Sequence, residues 1–61
     1  MANHGIDEIA SYESIENETS AAYLIKFDED RIIWMGKSIV HVDEDDKEVT
    51  MPKWLYDKHF I

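Results

Sequence analysis

Apolar and polar positions alternate most regularly in the middle of the chain. In Ala21-Ala22-Tyr23-Leu24-Ile25-Lys26-Phe27, the residues Tyr23, Ile25 and Phe27 share one face of an extended segment, because successive strand side chains point to opposite sides of a sheet. The acidic run Asp28-Glu29-Asp30 is turn chemistry, and Arg31-Ile32-Ile33-Trp34-Met35 reads as the returning strand of a hairpin. Gly36 interrupts that strand and predicts a bulge or sharp bend. Ser38 to Val42 resumes the extended pattern, Asp43-Glu44-Asp45-Asp46 forms a second acidic turn, and Lys47 to Met51 returns as a further short strand. Pro52 cannot donate to a sheet ladder but suits the start of a helix. Lys53 to His59 therefore reads as a closing helical turn, with Trp54, Leu55, Phe60 and Ile61 as apolar surface to lid the sheet.

The pattern predicts a mainly β fold: a β-meander or curled, barrel-like sheet of three or four strands with a short C-terminal helical turn. Both faces of the first two strands are apolar, so both are expected to be covered, by curling or by a second subunit. Trp34 and Trp54 are accordingly expected in the core. Residues 1–20 read differently. Ile6, Ile9, Tyr12 and Ile15 recur every third residue, roughly a helical stripe, between Gly5 and the polar run Glu16-Asn17-Glu18-Thr19-Ser20. A short, weak helix and a disordered acidic tail both fit, leaving residues 21–61 as the β-rich domain.

Sixty-one residues with no cysteine must fold on packing or on a partner, without disulfides or a thiolate metal site. No apolar run is long enough to span a bilayer and no signal peptide is evident, so a cytoplasmic location is expected. Six Lys and Arg against fourteen Asp and Glu give a net charge of −8. Residues 1–20 carry Asp7, Glu8, Glu13, Glu16 and Glu18 with no Lys or Arg. Such a chain repels phosphates and anionic membranes, whose binding energy comes from Lys and Arg, and it favours basic partners.

Arrangements that would carry chemistry are weak. Ser38, His41 and Asp43 contain the letters of a nucleophilic triad, but on a regular strand Ser38 lies opposite His41. Carboxylates clustered in turns are solvated, so none stands out as a general acid. The run from Asp43 to Glu48 has the alternating acids of a calcium loop, but Lys47 occupies a ligand position and the turn glycine is missing. His41 and His59 lack the spacing of a zinc pair. If Met1 is removed, Ala2-Asn3-His4 offers an amine, two backbone nitrogens and an imidazole, the tetragonal set preferred by Cu(II) or Ni(II). No cofactor and no catalytic residue are expected.

Two stretches, Trp34-Met35-Gly36-Lys37-Ser38-Ile39 and Val49-Thr50-Met51-Pro52-Lys53-Trp54-Leu55 with Lys58 and Ile61, resemble small phage-type accessory proteins of unknown function. In those proteins the second strand reads W-I-P-K-S and the chain ends in apolar-P-x-W-L-x-x-K-x-x-I. The likeness covers roughly the last forty residues, with Gly36 where Pro is usual and Asp28-Glu29-Asp30 in place of an Asp-Gly turn. It implies a compact, β-rich, viral accessory protein and brings no catalytic residues. The step from Val49 to Lys53, with Leu55, Lys58 and Ile61, is also similar to the strand-to-helix turn of AbrB- and MazE-type regulators, a local likeness whose DNA-binding role sits badly with −8.

The function expected is that of a non-catalytic acidic binding module, an inhibitor or adaptor that meets a basic surface on a nucleic-acid-handling protein as a charge mimic of DNA. The expected contacts are Asp28, Glu29 and Asp30 in one turn, and Asp43, Glu44, Asp45, Asp46 and Glu48 in and beside the other. The alternatives are a small structural homo-oligomer that completes its core by self-association, and an OB-like or SH3-like nucleic-acid binder that stacks bases on Tyr23, Phe27, Trp34 and His41.

Overall fold

The structure is a computed structural model that describes residues 7–61. Six strands and one helix follow in order: β1 (Asp7–Ser11), β2 (Ser14–Glu18), β3 (Ala22–Asp28), β4 (Arg31–Gly36), β5 (His41–Asp43), β6 (Glu48–Pro52) and α1 (Lys53–Phe60). They form two antiparallel sheets, ordered β1-β6-β5 and β2-β3-β4. The fold is mainly β as the sequence predicts, but as two separate sheets rather than one meander or a closed barrel.

The largest difference lies in the acidic N-terminal segment. Within the described residues it is neither helix nor tail: β1 pairs with β6 from Asp7↔Pro52 to Ser11↔Glu48, and β2 pairs with β3 from Ser14↔Lys26 to Glu18↔Tyr23. The chain passes from one sheet to the other through Tyr12 and Glu13, whose amides donate to the carbonyls of Lys47 and Lys26 at 2.9 and 2.8 Å. The register of β2 shifts between Ile15 and Asn17, which leaves Glu16 as an extra residue in a bulge. The crossover shifts the alternation, so that Tyr12 on one side of it and Ile15 on the other both face the core, three residues apart without a helix, while Ile9 of the same stripe is exposed.

The inner faces of the two sheets supply one core. Ala10, Val49 and Met51 come from the first sheet, Ile25, Phe27 and Met35 from the second, and Tyr12, Val40 and Leu55 from the links and the helix. Ile25 lies between Ile15 and Ile33 in register, and its side chain is fully buried.

The helix begins directly after Pro52, which sits extended at φ −62° and ψ 150°. Leu55 is buried under it, and Phe60 meets Phe27 edge-on at 4.9 Å while stacking on Tyr56 at 5.0 Å. Trp54 shares its side of the helix with Lys58 and Ile61, at i+4 and i+7. It is 59% exposed, so it does not join the lid, and neither does Ile61.

Trp34 is also outside the core, 50% exposed. It pairs with Leu24, Ile32 pairs with Lys26, and all four stand on the face of the second sheet that points away from the first. The apolar character of both faces of β3 and β4 predicted cover on both; in the isolated chain only the inner face has it. The strand expected from Ser38 to Val42 shortens to His41–Asp43, because the amides of Ile39 and Val40 both turn back onto the carbonyl of Gly36, at 3.0 and 3.2 Å. Gly36 therefore marks the bend that the sequence predicts.

Candidate interaction surfaces

The two acidic turns are built differently. In the first, Asp28 Oδ1 accepts the amide of Asp30 at 2.9 Å, and Asp28 Oδ2 accepts Arg31 Nη1 at 2.7 Å. The Arg31 guanidinium, followed by the Asp30 amide, holds the Asp28 carboxyl below its ordinary range. Arg31 also donates through Nε to the carbonyl of His59 at 3.1 Å and lies 5.4 Å from the centroid of Phe60. Asp28 is thus tied into the join between β4 and the end of α1. Glu29 lies 3.6 Å from Lys26 Nζ. Asp30 alone in this turn has no ion pair among the described residues.

In the second turn, Asp43 Oδ1 accepts the amides of Asp45 and Asp46 at 3.1 and 3.2 Å, so it organises the loop. Lys47 takes the left-handed conformation, φ 55°, which lets the loop close into β6. Its ammonium turns away from the acids to the carbonyl of Glu13 at 3.2 Å. Glu44, Asp45 and Asp46 are exposed and have no ion pair among the described residues. Glu48 sits opposite Asp43 in the β5–β6 register and is half-buried.

Both turns adjoin the crossover at Tyr12 and Glu13. Lys26 lies 3.8 Å from the Glu13 carboxylate as well as 3.6 Å from Glu29, while Lys47 links the second turn to the Glu13 backbone. Glu13 was not among the residues expected to act together with the turns. Only the crossover brings it there, and nothing local in the sequence signals it. The Tyr12 side chain, buried just inside, has its hydroxyl pKa raised by burial first and then by the charges of Glu44 and Asp43.

Four of the six Lys and Arg lie beside carboxylates. Lys26, Arg31, Lys37 and Lys53 each lie within ion-pair distance of at least one carboxylate: Glu13 and Glu29, Asp28, Glu18 and Asp57 respectively. Of the proposed stacking residues, Phe27 is buried and Tyr23 faces inward with it, while Trp34 and His41 lie exposed on different sheets. No common platform is formed.

Ser38, His41 and Asp43 are not assembled either: His41 and Asp43 share one face of β5, but Ser38 lies in the turn before the strand. Among the described residues no group of three or more His, Asp or Glu is placed to hold a metal ion. The Ala2-Asn3-His4 triplet lies outside the described residues. Among the described residues no helix is long and apolar enough to cross a membrane. Comparison of the chain with family models, curated proteins and solved structures finds no match.

Proposed function

We propose that the protein is a non-catalytic binding module, an inhibitor or adaptor of the phage type, that engages a basic surface on a nucleic-acid-handling protein. The observation that supports this reading is the convergence of both acidic turns on Glu13, with Asp30, Glu44, Asp45 and Asp46 left without cationic partners among the described residues. Unpaired carboxylates concentrated at one end steer a cationic partner and cost little to bring against it. Asp28 and Asp43 shape the turns, so the contact set narrows to Glu29, Asp30, Glu44, Asp45 and Asp46 with Glu13 added. The experiment is co-purification from bacterial lysate at low and raised salt. Recovery of a basic protein that is lost at raised salt, and lost in Glu44→Gln, Asp45→Asn, Asp46→Asn protein, supports the reading. Recovery of none, or recovery indifferent to salt, overturns it.

The homo-oligomer reading rests on a different observation. β2 and β4 are the two edges of their sheet, and an open edge invites a further strand. Sedimentation across a range of concentrations tests it: a monomer throughout removes this second reading.

A further inference from the structure

We infer that the outer face of the β2-β3-β4 sheet is a docking surface for an amphipathic, basic helix of the partner, a reading that rests on the function proposed above. Three of the exposed large apolar residues, Ile32, Trp34 and Ile39, gather on this face. Ile32 and Trp34 point outward from β4. Gly36 has the same parity, and Ile39 packs beside it: a Cβ on Gly36 would lie in ordinary van der Waals contact, 3.6 Å from Ile39 Cδ1. Leu24 and Ala22, opposite Trp34 and Gly36 in register, complete a continuous apolar strip across β3 and β4.

Acids border the strip. Toward β2 stand Glu13 and Glu16, the latter accepting a hydrogen bond from the outward-facing Ser14 hydroxyl, and in the β3–β4 turn stands Glu29, which shares the single ammonium of Lys26 with Glu13. The face therefore presents an apolar strip bordered toward β2 and at the turn by excess negative charge. The complement is a helix with an apolar stripe and Lys or Arg along one flank.

Area and charge decide between this occupant and a second copy. The half-exposed Trp34, Ile32 and Ile39 offer roughly 300 Å² of apolar surface, against about 800 Å² per partner in a stable protein–protein interface. Two copies at −8 each also repel, whereas a basic helix is attracted. Three strands spaced by about 4.8 Å give a face about 10 Å across, the width of one helix with its side chains.

The test uses a synthetic helix with Leu on one face and Lys on the other, and a scrambled peptide of the same composition. With Trp54→Phe in the background, intrinsic fluorescence reports Trp34 alone. The expected result is a saturable blue shift with the amphipathic peptide, and at least tenfold weaker binding for the scrambled peptide and for Trp34→Ser or Ile32→Ser, measured by calorimetry. Circular dichroism of the two variants should match the parent, because both side chains are exposed. Equal affinity of parent and Trp34→Ser, or no saturable binding, overturns the inference. So does a dimer in sedimentation that Trp34→Ser dissociates, which would assign the face to a second copy. Salt-sensitive capture of a basic protein that survives Trp34→Ser but not loss of the turn acids would remove this inference and leave the proposed function standing.

Discussion

Replacing Tyr12 by Ala tests whether the acidic N-terminal segment belongs to the fold. Tyr12 sits at the crossover between the two sheets, is only 7% exposed, and packs with Ile25, Val49 and Met51 in one core. Burying an aromatic side chain removes about 150–250 Å² from water, which at about 25 cal/mol per Å² gives an upper bound of about 4–6 kcal/mol. Large-to-small substitutions at buried aromatic sites cost about 3–5 kcal/mol. A domain of this length has a stability of about 3–5 kcal/mol. Tyr12→Ala should therefore be largely unfolded in buffer. Urea titration followed by far-ultraviolet circular dichroism and tryptophan fluorescence measures it, with Tyr12→Phe as a control that keeps the ring. A Tyr12→Ala midpoint within about 0.5 M urea of the parent, at an m-value of about 1 kcal/mol/M, would show that the segment is an appendage and refute the two-sheet core. The same pair carries a pH test. Burial and the neighbouring acids raise the Tyr12 pKa above its ordinary value of 10.0, so above that pH the unfolded chain loses the proton first and stability falls with rising pH. Tyr12→Phe should flatten that alkaline loss, and a tyrosinate absorbance titration of the parent should show a late-titrating phenol that Tyr12→Phe removes.

Further outcomes follow from the same geometry. The folded pKa of Asp28 is lowered by Arg31 and the Asp30 amide, so its contribution is present above the unfolded value and is lost as pH falls through the folded one; Asp28→Asn should remove that part of the acid-side slope in melting temperature. At Lys47, φ 55° is hard for a β-branched residue, so Lys47→Val should cost roughly 1–2 kcal/mol in urea unfolding while Lys47→Asn is tolerated. Trp34→Ser should change stability by less than about 0.5 kcal/mol, whereas Met35→Ala, its fully enclosed neighbour on the inner face, should cost about 2–5 kcal/mol. Equal losses at the two positions would contradict the assignment of inner and outer faces.

Much of the second half of the chain was legible because its signals are local. The acidic run at Asp28-Glu29-Asp30 closes a hairpin through an Asx contact and an adjacent arginine, Asp43 does the same for the next turn, and Pro52 starts the helix with a backbone already extended. Period-two alternation in β3 placed Ile25 and Phe27 inside without reference to anything distant. Net charge and the absence of cysteine likewise need no structure.

What the tertiary structure decided is everything that depends on a remote partner. β1 finds β6 near the far end of the chain while β2 turns into a local hairpin with β3, and the break at Tyr12-Glu13 between them lets their apolar spacing imitate a helix. Whether Trp34 is core or surface turns on which face of a two-sided apolar sheet meets another layer, and alternation alone is symmetric on that point. The acidity is fixed by composition, but its meaning is positional: folding ties Asp28 to Arg31, turns Lys47 away from the loop beside it, and brings Glu13 between two turns that lie far from it in sequence. Local rules specify turns and strand parity through short-range sterics and hydrogen bonds, whereas the pairing of sheets and the gathering of charge are settled by the burial of one shared core.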